Sequence, residues 1–515
     1  MQTEYKPVQK DSVTENVIAE CSEDFILPDY MPEIRRVLRL ESRLLKGDSF
    51  VSGGKADFEG TVLYTLFYTD NEEKITAVPL ESRYRYEVPV GTAVPIFVYS
   101  TECTEGVNMR PSGPRRLSIR TKIRATVHTV TEEPLQKNIC ELLPDGCGTV
   151  ECLEKKASVT HTALCRSEIT EALADFTLEG KNAEKLRPLY ASADVLMERA
   201  SAENGHILCR GITAIKVLLE DGDGIITLSR RVPFEDAMIA DCREGDGVTA
   251  NGICHAVSVA LEQNGENVSI DVRAKCAFEA LAHRSTEASV LCDAYATDKA
   301  LSIAYKPLYT HAYKDGFMGN FTTETEYALG EGVSVPLCSV TVKDAQLSWE
   351  GKRAVVTGEA RADLLCYGKE DGEEKEHFYA KDFSFPFRLE TETPVGVLPS
   401  DRKSFTLTPS VTEMAVQNGK GYLSSEMILS LCAVQDEQYS VPDTITVQER
   451  AVNNPSRISI YYPTDKDSLW SVGKAYGIPT SLLAKQNDIP LDSDTAIDDK
   501  KTLDGMAWLF ASKLS

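Results

Sequence analysis

The groups in this chain that could do chemistry are scattered. The nearest approach to a metal site is Cys147, Cys152, His161 and Cys165, at spacings of 5, 9 and 4. Zinc ligands come in tight pairs, so that one turn presents two donors to one ion. No CxxC occurs among the fourteen cysteines, so Cys147, Cys152 and Cys165 are read as single reduced thiols. The aspartates of "DGDG", Asp221 and Asp223, lack the further oxygen ligands and the twelfth-position Glu of a calcium loop, so they are read as a solvated turn. The seven histidines stand singly, with His128, His283 and His377 in or beside strand patterns. No GxxxxGKS, GxxxxGKT, HExxH or GxSxG occurs. The expectation is a non-enzymatic protein with no catalytic residues, no metal and no cofactor.

Composition narrows the partners. The 515 residues carry a formal net charge of −24, with pI near 4.9. A surface that acidic repels phosphate backbones and anionic lipid, so no nucleic acid partner is expected. The first residues, "MQTEYKPVQKDSVTENVIAE", show no basic segment followed by an apolar one. The longest apolar runs, such as "VLYTLFY" at 62–68, are strand-sized, so no transmembrane segment is expected. Unpaired cysteines fit a reducing compartment, and the expected location is cytoplasmic.

One unit recurs three times. Gly60, Gly211 and Gly358 each precede alternating apolar residues, an acidic turn and a second run ending in aromatics. The glycines are 151 and 147 positions apart. "DFIL" at Asp24, "DFTL" at Asp175 and "EYAL" at Glu326 mark the same place upstream. Downstream, "RLSIRTKIRATV" at 116–127 matches "NVSIDVRAKCAF" at 267–278 and "GYLSSEMILSLC" at 421–432. Alternation over six to eight residues predicts half-buried strands, and the acidic turns predict hairpins. "MPEIRRVLRLES" in the first unit predicts a short helix, with Ile34, Val37 and Leu38 on one face. The expected fold is mainly β: three repeated antiparallel β domains of about 150 residues, over 1–160, 161–305 and 306–450, followed by a small βααβ domain at 455–513.

In that last segment "ISIYY" at 458–462 reads as a strand and "MAWLF" at 506–510 as its partner. Asp467 or Ser468 caps a helix with Leu469, Val472 and Tyr476 on one face, and Gly477 ends it. Thr480 is expected to cap a second helix ending at Asn487. Trp470 cannot share the face of Val472; it is read either as a partly exposed protein anchor or as packed on the closing strand.

"DSLWSVGKAYGIPTSLLAKQNDI", 467–489, resembles the LysM domain, although Lys466 stands where that family usually has Gly and the usual closing motif is missing. LysM modules commonly bind N-acetylglucosamine polymers, and the resemblance implies a groove with Asp467, Ser468 and Leu469 on one wall and Asn487, Asp488 and Ile489 on the other. "DFILPDYMPEIRRVL" followed by "FEGTVLYTLFY" resembles the SPOCS domain of sporulating Firmicutes, through Pro28, Asp29, Pro32, Glu33 and Ile34. SPOCS-like repeats ending in a LysM module resemble the spore coat morphogenetic proteins. That resemblance implies a mother-cell protein that localises the basal coat layer around the forespore by binding stage IV sporulation protein A, a spore coat morphogenetic ATPase. Peptidoglycan is the alternative partner.

Overall fold

The computed structural model describes residues 7–91, 94–143, 149–222, 224–370, 375–392, 397, 401–448, 459–491, 497–499, 503 and 506–512. The chain is mainly β, in small antiparallel sheets. The first strands are β1 (Val8–Ile26), β2 (Arg36–Ser52), β3 (Lys55–Thr69), β4 (Ile75–Pro89), β5 (Pro95–Gly113) and β6 (Arg116–Glu133). They form two sheets in the orders β1-β6-β5 and β2-β3-β4. After the short helix α1 (Ile139–Leu142) come β7 (Val150–Arg166), β8 (Thr170–Glu179), β9 (Arg187–Glu203), β10 (His206–Glu220), β11 (Ile225–Ile239), β12 (Gly247–Asn264) and β13 (Asn267–Ala296). Here the sheets are β11-β10-β9 and β12-β13-β7, with β8 also paired to β13. Then β14 (Ala300–Ala328), β15 (Ser334–Glu350), β16 (Arg353–Lys369), β17 (Glu376–Glu392), β18 (Arg402–Gln417) and β19 (Lys420–Gln448) give β14-β19-β18 and β15-β16-β17. The expected breaks at 160/161 and 305/306 fall inside β7 and β14.

The recurring glycines have one physical cause. Gly60, Gly211 and Gly358 lie on the middle strands β3, β10 and β16, directly opposite Tyr84, Phe234 and Phe387. Each aromatic ring lies over its glycine, and a neighbouring carbonyl closes in from the other side. A Cβ on Gly60 would stand 2.6 Å from the Leu45 carbonyl oxygen, and one on Gly211 or Gly358 would stand 2.9 or 2.7 Å from a ring carbon. The strand before each glycine bulges there, at Lys46/Ser49, at the Arg210/Gly211 pairing and at Val342/Asp344. An aromatic laid across a strand glycine restores the apolar cover that the missing side chain would have provided.

The hairpins expected at the acidic turns are present, with Thr69 opposite Ile75 and Glu220 opposite Ile225. In the second, Asp221 Oδ1 accepts from the Gly224 N–H at 3.0 Å and Lys181 binds its other oxygen at 2.6 Å. Asp223 lies outside the described residues. The helix expected at 31–42 is a correction: from Arg36 this segment is strand β2, paired with β3 from Arg36↔Thr69. A twelve-residue helix is marginal alone, and pairing with a middle strand overrides its weak periodicity.

The three hairpin sheets meet. Leu38, Phe67 and Ile75 from the first, Leu189 and Leu218 from the second, and Leu337, Leu365 and Phe378 from the third form one buried cluster. Leu38, Leu189 and Leu337 hold corresponding places in β2, β9 and β15, as do Phe67, Leu218 and Leu365 in β3, β10 and β16. Burying each such side chain is worth about 1.5–3 kcal/mol. Arg36 donates to the Phe378 carbonyl, and Arg187, 151 positions later, donates to the Ile75 carbonyl at 2.7 Å. Replacing Gly211 with Val puts a branched side chain against Leu196 and Phe234. It is expected to cost at least about 2 kcal/mol in denaturant unfolding, against less than about 1 kcal/mol for Gly224→Val, whose Cβ meets open space.

Candidate functional site

The C-terminal segment folds as strand, helix, helix, strand: β20 (Ser459–Tyr461), α2 (Leu469–Tyr476), α3 (Thr480–Gln486) and β21 (Leu509–Ala511). Its core is Leu469, Val472, Ile478, Leu483, Ala484, Leu503, Leu509 and Ala511. Ser468 caps α2 in a reciprocal box with Ser471, and Gly477 closes the helix at φ 63°. Thr480 does not cap α3: Pro479 takes that position without a side-chain bond, and the Thr480 hydroxyl donates to Glu151 at 3.2 Å.

The expected groove residues spend their polar atoms inside the module. Asp467 Oδ2 accepts from the Tyr461 hydroxyl, the Thr464 hydroxyl and the Thr464 N–H, each at 2.8 Å. These bonds, the Thr464 backbone first, hold its carboxyl below the usual range. Asn487 donates to the carbonyls of Leu483 and Phe510 at 2.8 Å and accepts from the Phe510 N–H. Ser468 is consumed as the cap and Leu469 is fully buried. Ile489 is half-buried, and Asp488 is the exposed member of the set.

Trp470 is the main correction. It is not a surface anchor and does not pack on the closing strand; it is 5% exposed, in a cluster with Leu153 of β7, Tyr295 of β13 and Ile497. Its ring meets Tyr295 edge-on, with centroids 4.8 Å apart, an arrangement worth about 0.5–1.5 kcal/mol beyond burial. Its Nε1–H donates to Asp293 Oδ2 at 2.9 Å. The indole thus docks the module on the end of the β7–β13 pair.

Asp293 organises this contact. Lys474 Nζ reaches its two oxygens at 2.7 and 2.6 Å, and the Tyr305 hydroxyl donates at 2.6 Å. Burial pushes the Asp293 carboxyl up, but the bonds from Lys474, Tyr305 and Trp470 outweigh it and leave the pKa lowered. A depressed carboxyl stabilises the folded state at neutral pH, and that contribution is lost as pH falls through the lowered value. The Tyr295 hydroxyl donates to the Ile478 carbonyl at 2.7 Å, and a Cβ on Gly473 would stand 2.7 Å from that hydroxyl oxygen and 2.9 Å from the Ile478 carbonyl oxygen. Only glycine lets α2 approach this closely. Lys155 pairs with Asp498 at 2.7 Å at the rim. Sequence reasoning missed Asp293, Tyr295, Gly473 and Lys474, because a contact spanning some 180 positions leaves no periodic trace.

On its other side the module keeps an apolar face. Ile460, Tyr462 and Trp508 are 54, 69 and 49% exposed, and Trp508 stands edge-on to Phe510 at 5.4 Å. Ile460 pairs with Phe510 while Tyr461 and Leu509 point into the core, so Ile460 and Phe510 lie on the outer face of the two-stranded sheet, and Tyr462 and Trp508 follow the same alternation one residue beyond its strands.

The groups considered for metal chemistry do not converge. Cys152, His161 and Cys165 are spread along β7, nine and four residues apart, which is about 30 and 13 Å of strand. Cys147 lies outside the described residues. His283 stacks on Tyr313 with centroids 5.6 Å apart, and burial pushes its pKa down to about 4. His128 and His377 lie against Asp11 and Glu370. No helix among the described residues is long and apolar enough to cross a membrane. No protein-family model matches the chain, and no curated protein matches it.

Asp293→Asn keeps the shape of the contact but removes the charge facing Lys474. It is expected to weaken docking by about 2 kcal/mol. Amide hydrogen exchange across Leu469–Tyr476 and Glu151–Leu153 should rise, while the β2–β3–β4 sheet stays as protected as before.

Proposed function

We propose that the chain is a non-enzymatic assembly adaptor of the endospore coat, a spore coat morphogenetic protein of the SipL type. On this reading three SPOCS-like repeat domains form the body, and the βααβ segment is a LysM-like domain used to grip a protein. Its partner is stage IV sporulation protein A, and its place is the mother-cell cytosol at the forespore surface.

The observation that carries this reading is how the module uses its surfaces. The groove atoms that would meet a sugar are committed to internal bonds, while α2 already recognises a protein surface, that of the body. The sheet face with Ile460, Tyr462 and Trp508 is left outward. Exposed aromatic and aliphatic side chains gathered on one face are what protein interfaces bury at their centres. The module is also nearly neutral, with seven Lys or Arg against eight Asp over 455–515, so the acidic charge sits on the body. One feature favours the second reading, peptidoglycan binding: exposed Tyr462 and Trp508 rings also suit stacking on sugars.

Co-purification of the full chain with stage IV sporulation protein A, run beside a peptidoglycan sedimentation assay, separates the two. Capture of the protein that falls at least tenfold in Trp508→Glu and in Tyr462→Glu, with no sedimentation, is expected. Sedimentation with peptidoglycan and no capture of the protein would overturn the adaptor reading.

A further inference from the structure

Cys254 of β12 and Cys276 of β13 stand directly opposite each other in the antiparallel register. Among the described residues no other two cysteines are paired across strands; each of the rest that has a partner in a sheet faces a residue of another kind. Opposite residues of an antiparallel pair have Cα atoms about 4.5–5.5 Å apart, inside the span of about 4.4–6.8 Å that a disulfide bridges. Both side chains lie in one buried core, and the Cys276 thiol donates a hydrogen bond to Cys254.

One of the two can be reached. Cys254 borders a cavity of about 330 Å3, well above the room for a single water, where the three hairpin sheets converge. The pairing shifts between Cys254 and Ala256, and a bulge re-aims the residues beside it. Cys254 and His255, which a regular strand would turn to opposite faces, both line the cavity. Cys276 does not line it and is 1% exposed. Arg43 of β2 and Asp194 of β9 face the same space and keep 33 and 41% of their side-chain surface accessible, so water enters it. The bond from Cys276 and the Arg43 guanidinium hold the Cys254 thiol below its usual range, against burial and Asp194. The same bond and burial push Cys276 up. Cys165, Cys209 and Cys242, in the same core, are also pushed up by burial.

We propose that Cys254 and Cys276 are a redox-active dithiol, with Cys254 reacting with hydrogen peroxide in the cavity and Cys276 behind it closing a disulfide between β12 and β13. The Cys254 thiolate attacks one peroxide oxygen: an S–O bond forms, the O–O bond breaks, and the departing hydroxide takes the thiol's proton as water. Cys276 sulfur then attacks the Cys254 sulfenic acid: the S–S bond forms, the S–O bond breaks, and hydroxide leaves with the Cys276 proton as a second water. Two thiols have lost two electrons and two protons, and one peroxide has become two waters. A dithiol reductant reverses the step. In a reducing compartment such a bond is transient, which is how redox sensors use it. Neither the grip on a partner nor the docking of the C-terminal module is needed for this site.

Peroxide treatment of the folded, reduced full chain tests it, followed by acid quenching, alkylation in denaturant and tryptic peptide mass spectrometry. Trypsin cuts after Arg243, Arg273, Lys275 and Arg284, so the two cysteines fall on separate peptides, 244–273 and 276–284, with one cysteine each. A disulfide joining these two peptides is expected, formed before the exposed Cys103 thiol is oxidised and removed by dithiothreitol. Cys276→Ser should leave Cys254 as a sulfenic acid that dimedone labels. Arg43→Met should slow the disulfide at least about tenfold and Arg43→Lys should largely restore it, while Cys103→Ser should leave its rate unchanged. Oxidation of Cys103 with the 244–273 and 276–284 peptides still fully alkylated overturns the site in the unaltered chain, whatever the variants do. A disulfide from Cys254 to any other cysteine overturns it as well.

Discussion

The meeting of Leu38, Leu189 and Leu337 with Phe67, Leu218 and Leu365 is the constraint on which the rest of the molecule depends. Each hairpin sheet has one face turned to its own outer sheet and an end that would be wet if it stood alone. Three such ends cover one another, and the cost of leaving large apolar side chains in water is removed together. The arginines at 36 and 187 then fix the sheets in rotation, because each satisfies a carbonyl on a different neighbour. The result is a body whose parts hold a fixed relation, with long strands such as β13, whose 30 residues begin in the core and extend past it.

That length matters for the C-terminal module. The far end of β13, paired with the start of β7, offers Tyr295, Asp293 and Leu153 beyond the edge of β12. A helix with a glycine in its middle turn can lie against it, and α2 has Gly473. Asp293 is a partly buried charge, which is costly without partners, and it gains an ammonium, an indole N–H and a phenol. Docking therefore selects which face of the module is spent and which remains. The helix face is turned inward, and the sheet face with Tyr462 and Trp508 is turned out.

Much of this was legible in the sequence, for reasons that are local. Hairpins at 69–75 and 220–225 follow from alternation and turn chemistry, and the glycines repeat because each must admit an opposing ring. The capped helix at Leu469–Tyr476 follows from Ser468 and Gly477. What failed depends on distant partners. Residues 31–42 have a faint helical period, but β3 claims them. Trp470 stands off the core face of its own helix, and nothing within the module says that Tyr295 covers it. The expected breaks cut β7 and β14 because each of those strands is held by pairing with the last strand of its own unit, between 92 and 148 positions away, and not by any local signal.

The docking of Trp470 holds the C-terminal module on the body, and the exchange rate of its indole N–H measures that docking directly. The chain has three tryptophans, so three indole signals are expected in a nitrogen-edited NMR spectrum of the full protein. The Trp470 indole, buried and bonded to Asp293, should exchange at least about a hundredfold more slowly than that of half-exposed Trp508. Exchange of the Trp470 indole as fast as that of Trp508 would mean that the module is not held on the body, and would contradict the assignment of its outward face.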